Sequence, residues 1–191
     1  MSDKVRPLRA DAARNRALVL ETAYRSFATE GLSAAVDEIA NRAGVGIGTV
    51  YRHFPTKNAL FAAAVEHRLR QLVTAGRALL DSEDPGQALF GFVRAMATEW
   101  GAADRGLTQV LAGDEVDVDH VAVAESHFMD LLGELLAAAK QAGTVQPELT
   151  VREAKAVIVA CQAVGTHTPD VADRVIGLLL DGIRPVVHDP C

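Results

Sequence analysis

Apolar residues recur along most of this chain at intervals of three and four rather than alternately. The segment around 120–142 shows this clearly, because Phe128, Leu132, Leu135 and Ala139 would all lie on one side of a helix. The pattern predicts an all-α fold of about nine helices. We expect the first near 11–30, the second in a short segment that ends before Gly44, and the third over 47–53. The others are expected near 57–80, 87–100, 104–112, 120–142, 151–164 and 170–183.

The stretch 36–57, VDEIANRAGVGIGTVYRHFPTK, predicts two short helices that meet at a tight turn, followed by the start of a third. Gly44 falls where a helix end favours a residue that tolerates positive φ. Ala40 is small enough for a close crossing of two helices, and Val45 and Val50 can pack back onto the first helix. This spacing is typical of a helix-turn-helix, whose second helix enters the major groove of DNA.

The second helix of this motif, about 47–53, divides into two kinds of side chain. Val50 and the following Phe54 are expected in the core, Pro55 ends the helix, and Thr56 can cap the next one. The outward residues are small, hydrogen-bonding, aromatic or basic: Gly48, Thr49, Tyr51, Arg52 and His53. An ordinary glycine-rich loop beside an amphipathic helix is the alternative, and the joint occurrence of turn, basic helix and cap disfavours it.

The segment AAVDEIANRAGVGIGTVYRHFPTKNALFAAAV resembles the DNA-binding domain of the TetR family of bacterial regulators. The preceding ALVLETAYRSFATEG resembles the first helix of that family, with Phe27 in the core and Gly31 at its end. The resemblance covers roughly 17–65. One position departs from it, because Ala35 stands where the family usually has a threonine that caps the next helix and touches phosphate. Losing a cap costs about 1 kcal/mol, and Ser33 is a candidate substitute.

The candidate DNA-binding residues follow from this motif. Thr49 can offer its hydroxyl to a base edge and its methyl to thymine, Gly48 allows close approach, and Arg52 is a further candidate for base contact. The resemblance implies phosphate contacts by Tyr51, His53 and Lys57. Arg42, at the end of the first motif helix, is another candidate whose alternative is a solvated side chain.

The distribution of charge supports this assignment, although the net charge of the chain is −6. Residues 1–58 contain nine lysines and arginines against six acids, whereas the remainder contains ten against nineteen. Basic charge therefore concentrates where the motif lies, as binding to DNA requires. We expect a flexible basic arm over 1–10, a DNA-binding domain over 11–58, a regulatory and dimerisation domain over 59–184, and a tail over 185–191.

The resemblance implies that the second domain encloses a ligand pocket among the helices between 57 and 142. Phe92, Met96, Trp100 and Phe128 are the large side chains best placed to line it, and ordinary core packing is their alternative. Such a pocket would favour a largely apolar or aromatic small molecule.

The last two predicted helices, about 151–183, match the dimer interface that the resemblance implies. The run 156–161 is apolar almost all round and needs cover on more than one side. A monomer core is the alternative. Geometry also favours a homodimer, because one two-turn helix reads few bases, whereas a two-fold pair addresses two half-sites.

Other classes of protein find little support in the sequence. No apolar run reaches the ~18 residues of a membrane span, and the charged N-terminus lacks the apolar core of a signal peptide, so we expect a cytoplasmic protein. Two cysteines make no disulfide framework. The acidic run 114–120 lacks the glycine and terminal glutamate of a calcium loop. No metal site, cofactor or catalytic residue is expected, and the chain is not predicted to be an enzyme.

The sequence thus predicts a dimeric, ligand-responsive transcriptional regulator, in most cases of this kind a repressor, that binds a pseudo-palindromic operator in double-stranded DNA. Two alternatives stay open. One is a constitutive regulator without a ligand, and the other is a small-molecule-binding protein whose DNA domain is vestigial.

Overall fold

A computed structural model describes residues 5–81, 84–98 and 119–185 of the 191-residue chain, and all regular structure within these ranges is helical. This confirms the predicted all-α fold. The helices, numbered in chain order, are α1 (Val5–Glu30), α2 (Val36–Arg42), α3 (Ile47–His53), α4 (Lys57–Leu80), α5 (Ala88–Thr98), α6 (Asp119–Gln141), α7 (Val151–His167) and α8 (Ala172–Asp181). Single 3-10 turns occupy Gly31–Ser33 and Pro85–Gln87.

The ends of the predicted elements differ in a few places from those observed. Helix α1 begins at Val5, so residues 5–10, predicted as part of a flexible arm, are helical. Helix α7 continues to His167, three residues beyond its predicted end. The predicted helix at 104–112, the acidic run up to residue 118, Trp100, and residues 1–4 and 186–191 lie outside the described residues.

The described contacts divide the chain into two compact units, and the division falls inside α4, between Arg70 and Gln71. The first unit contains α1, α2, α3 and α4 up to Arg70, and the first turns of α6, up to Glu125, are grouped with it. The second contains the remainder of α4, α5, α6 from Ser126, α7 and α8. The boundary predicted from the sequence, at 58/59, lies earlier in the chain.

The core of the first unit forms where α1, α2, α3 and α4 meet. Phe27 and Phe61 are completely buried and meet edge to face, with ring centroids 5.2 Å apart. Leu20, Ile39 and Leu60 are equally inaccessible to solvent. Burial of an aromatic or leucine side chain contributes on the order of 2 kcal/mol, so this cluster fixes α2 and α3 on the longer helices.

The second unit is packed tightly enough that two glycines are required by their neighbours. A Cβ at Gly76 of α4 would lie 2.5 Å from the Leu131 side chain, and one at Gly165 of α7 would lie 2.9 Å from the Ala97 carbonyl oxygen. Helix α7 starts with a reciprocal cap, in which the Thr150 hydroxyl accepts a hydrogen bond from the Glu153 amide and the Glu153 carboxylate accepts one from the Thr150 amide. Within the described ranges, no helix is long and apolar enough to cross a membrane.

Candidate nucleic-acid interface

The turn between α2 and α3 has the geometry that the sequence predicted. Gly44 adopts a φ of +67°, the left-handed conformation that favours glycine. Its amide donates to the Asn41 carbonyl at 3.1 Å, and the Val45 amide donates to the Ala40 carbonyl at 3.0 Å. These two bonds form a Schellman motif, which satisfies the last carbonyls of α2 and sets the direction in which α3 leaves.

Helix α3 buries one side and exposes the other. Val50 is 1% exposed and Phe54, at the end of the helix, is 5% exposed, as predicted. The five outward residues of the prediction are all exposed: Gly48, Thr49, Tyr51, Arg52 and His53. A core side chain in the middle of so short a helix holds the exposed face in a fixed orientation.

One feature of the exposed face, the exposure of its first residue, was not recognised in the sequence. Ile47, the first residue of α3, is 43% exposed, although the sequence prediction did not place it among the outward residues. At Gly48, a Cβ would meet no other atom within 4 Å, so packing within the protein does not require glycine there. The missing side chain leaves the surface of α3 open to close approach from outside.

The start of α4 lies just after this face. The Thr56 hydroxyl accepts a hydrogen bond from the Ala59 amide at 3.0 Å, which confirms it as the predicted cap. The Lys57 ammonium donates to the Leu32 carbonyl, so it is held against the connection between α1 and α2. An ammonium has three donors, and this bond uses one of them.

The start of α2 lacks a side-chain cap. Ala35 occupies the cap position with extended backbone. It contributes no side-chain hydrogen bond, because a methyl group cannot form one. The prediction that Ser33 substitutes for the cap is wrong, because its hydroxyl donates backwards to the Glu30 carbonyl. That serine completes the 3-10 turn after α1 instead.

Arg42 is occupied by partners on α1 and α2. Its guanidinium bonds to the Glu30 carboxylate at 2.6 Å, to the Ser26 hydroxyl at 3.0 Å and to the Glu38 carboxylate at 3.2 Å. The hydrogen bond and charge of Glu30 raise the pKa of Arg42 above its ordinary value. These contacts join α2 to α1, which gives Arg42 a structural role that sequence spacing did not indicate.

A second arginine lies beside the end of α3. The Arg16 guanidinium of α1 is 5.4 Å from the centre of the Phe54 ring, within the range of a cation–π contact. The Phe54 and His53 rings are 6.2 Å apart. Basic and aromatic groups therefore cluster where α3 ends, which is the composition expected of a surface facing phosphates.

Three of the four predicted pocket residues lie in the described part of the second unit. Phe92, Met96 and Phe128 are buried, and the Phe92 and Phe128 rings are 6.0 Å apart. A Cβ at Gly76 would also come within 3.0 Å of the Phe92 ring, so Phe92 packs closely against α4. The structure thus brings these three residues into the helical core, and the ligand pocket that they would line stays a prediction.

Helices α7 and α8 carry apolar residues that the other described residues of the unit leave exposed. Val159 is 51% exposed and lies about one turn from the exposed Ala156 on one side and from the exposed Ala163 on the other. On α8, Leu178 is 62% exposed, and Val171 precedes the helix at 42%. Cys161 points the other way, and burial raises the pKa of its thiol to about 11. We call the exposed residues Ala156, Val159, Ala163, Val171 and Leu178 the apolar face.

Comparisons with known proteins match both parts of the chain. Residues 19–64 match the family described as bacterial regulatory proteins, tetR family. Residues 84–185, more than half of the chain, match the C-terminal domain of SbtR-like transcriptional regulators.

A solved TetR transcription regulatory protein from Mycobacterium vanbaalenii is 50% identical, with a TM-score of 0.77 over 94% of this chain and 100% of that one. The regulator SCO0520 from Streptomyces coelicolor is 29% identical, with a TM-score of 0.72 over 90% and 99% of the two chains. The HTH-type transcriptional regulator SAB2452 of Staphylococcus aureus is 33% identical over 75 residues, and the match spans 40% of its length. This chain belongs to the TetR family of bacterial transcriptional regulators.

Proposed function

We propose that this regulator is a homodimeric repressor that binds a pseudo-palindromic operator and releases it when a small, largely apolar molecule binds the second unit. The observation that carries the proposal is the orientation of α3, which buries Val50 and Phe54 and exposes hydrogen-bonding and basic side chains. A helix mounted in this way on a rigid core can enter the major groove without rearrangement. Such a regulator works where the operator is, in the cytoplasm.

Within the proposed interface, Thr49 and Arg52 contact base edges, and Gly48 lets the α3 backbone approach them. Tyr51, His53 and Lys57 contact phosphates and set the register of the helix on the duplex. We leave Arg42 out of this interface, because its bonds to Glu30, Ser26 and Glu38 would have to break before it could reach a phosphate.

The apolar face supports the proposed homodimer. A water-exposed leucine and valine on neighbouring helices gain free energy when a second copy covers them, by about 25 cal/mol per Å² of apolar surface. A two-fold axis through α7 and α8 pairs the same face on both copies, as an isologous interface requires. The dimer then presents two α3 helices to two half-sites.

Helix α4 supports a link between ligand and DNA. It contributes Lys57 and Leu60 to the first unit and Leu72 and Gly76 to the second, so one continuous helix belongs to both. A ligand that prefers one position of the second half of α4 shifts the population toward that state. The ligand can shift this equilibrium only by the difference between its affinities for the two states.

Selection of bound duplexes from a random DNA pool, at two salt concentrations, tests the proposal. We expect a pseudo-palindromic motif whose binding weakens with added salt. Thr49→Ala should relax the preference at one base position per half-site, whereas Thr98→Ala, an exposed threonine on α5, should leave the motif unchanged. Binding that is weak and blind to sequence would contradict the proposal, and would favour the small-molecule-binding protein with a vestigial DNA domain.

A second measurement tests the ligand. Small molecules extracted from the purified protein are identified by mass spectrometry and added back to the complex with the selected operator. Release of the operator by one of them would support the repressor with an effector. A protein that carries no small molecule and whose operator binding resists a library of apolar compounds would favour the constitutive regulator.

A further inference from the structure

Ile47 is an exposed aliphatic residue in an unusual place. It begins α3, its side chain is 43% exposed, and a glycine stands on each side of it. Neither Gly46 nor Gly48 has a side chain that could cover it. The first turn of α3 therefore presents the Ile47 side chain prominently, on a helix whose other exposed groups are mostly polar.

The chemistry of this surface restricts what Ile47 can contact. Arg52 and His53, on the following turn, are exposed and favour an anionic partner over an apolar one. Isoleucine has no group that can bond a phosphate or the polar edge of a base. In the major groove, the methyl group at C5 of thymine is the apolar feature that a side chain can meet. The position of Ile47 at the start of the helix is where a helix-turn-helix contacts base edges.

We propose that Ile47 determines specificity by packing against the methyl group of one thymine in each half-site. The inference rests on the proposed function and adds to it, since it names the base and the atom that this side chain recognises. Gly48 assists, because a helix surface without a side chain at that position can lie closer to the base. The selected operator should therefore contain one symmetric pair of thymines that no cytosine or adenine can replace without loss of affinity.

Replacing thymine by deoxyuridine removes this methyl group and leaves every hydrogen-bonding group of the base in place. In the selected operator, each symmetric pair of thymines is replaced in turn, and binding of the full-length protein is measured. At one pair we expect the affinity of the wild-type protein for the operator to fall by about fourfold per half-site, which is ~15-fold for the dimer. This is the effect of losing one buried methyl group at each half-site. Ile47→Ala should bind the thymine operator ~15-fold more weakly and respond less than twofold to deoxyuridine at that pair.

Two control variants test whether the response to deoxyuridine comes from Ile47 and not from another apolar group. Thr49→Ser removes the threonine methyl group, which the proposed function also places against a base edge, and should keep the response to deoxyuridine at the pair that Ile47 contacts. Leu18→Ala removes an exposed leucine from α1 in the same unit and should also keep it. The thermal unfolding midpoint of Ile47→Ala should fall only slightly below that of the wild type, because nearly half of this residue is already exposed to solvent.

Three results would overturn the inference and leave the proposed function intact. They are a selected motif in which no thymine pair responds to deoxyuridine, a response that persists in Ile47→Ala, or one that Thr49→Ser abolishes. Failure to select any motif would instead overturn the proposed function, and this inference with it. The two failures are distinguishable in the same series of measurements.

Discussion

The first and second units expose different chemistry over similar cores. Helix α3 buries its own Val50 and the following Phe54, and it exposes threonine, tyrosine, arginine and histidine. Helices α7 and α8 bury Ile158 and Ile176, and they expose valine and leucine. Because both helical surfaces are backed by full cores, neither exposed set is needed for the fold of its own unit. Exposed groups that the fold does not need indicate partners, here an anionic polymer for α3 and a second copy for the apolar face.

Removing the core beneath α3 should have the largest effect on this contrast. Phe27→Ala creates a cavity beside Phe61 and should destabilise the first unit by about 3–5 kcal/mol. We expect operator binding to disappear, while sedimentation still shows a dimer held by α7 and α8. The matched control is Leu18→Ala on the same helix, which should change the unfolding midpoint little because Leu18 is half exposed. Loss of the dimer in Phe27→Ala would show that the two units do not act separately.

Placing a charge on the apolar face should have the next largest effect. Leu178→Glu puts a carboxylate where we propose that two copies meet, and its desolvation should raise the dimer dissociation constant by roughly 30-fold or more. Sedimentation at several concentrations measures this constant, and operator affinity should fall with it. Val123→Glu, which alters a 65% exposed valine on α6, is the control and should leave the dimer unchanged. An unchanged dimer in Leu178→Glu would exclude α8 from the interface.

Removing one phosphate contact should have a smaller and more uniform effect. Lys57→Ala should weaken binding to all duplexes alike and reduce the slope of log K against log salt by about 1 for each half-site. The same change removes the hydrogen bond to the Leu32 carbonyl, so its unfolding midpoint must be measured in parallel. Arg77→Ala, in the second unit, removes an equal charge and should not alter the slope. An unaltered slope in Lys57→Ala would show that Lys57 does not contact phosphate and that its role is the hydrogen bond to the Leu32 carbonyl.

The cap of α7 should give the smallest effect and should act on stability alone. Hydrogen bonds from the Thr150 hydroxyl and amide lower the pKa of Glu153 below its ordinary value. A lowered pKa in the folded state means stability that is present above the unfolded pKa and is lost as pH falls through the folded one. The unfolding midpoint of Glu153→Gln should therefore lie below that of the wild type at pH 7, and the difference should shrink as pH falls below the ordinary glutamate pKa of 4.5. A difference that does not depend on pH would exclude the carboxylate charge as its origin.

Several features of the fold follow from local rules and were predicted. Gly44 adopts a positive φ at the end of α2, and the Val45 amide that follows it reaches back five positions to the Ala40 carbonyl, at 3.0 Å. The inward side of α3 follows from its short apolar pattern, and Thr56 caps α4 as its position suggested. These features depend on residues within about one turn of each other.

Other features depend on residues that are far apart in the chain, and their partners were not predicted. Arg42 finds Ser26 sixteen positions away and Glu30 twelve away, and Lys57 finds Leu32 twenty-five away. Nothing in the local sequence distinguishes these cations from Arg52, which is exposed on α3. The pocket residues show the same difficulty, since an apolar stripe such as Phe92 and Met96 looks the same whether it lines a cavity or fills a core.

The sequence by itself determined the helical periodicity, the turn at Gly44, the inward side of α3 and the motif through which the family is recognised. It could do so because backbone conformation and helix periodicity depend on neighbours within a few residues. The tertiary structure decided which cation is engaged, which glycine is required by packing and which apolar side chain stays in solvent. Arg42 is bound within the protein and Ile47 is left exposed because burial and pairing depend on which surfaces the folded chain brings together.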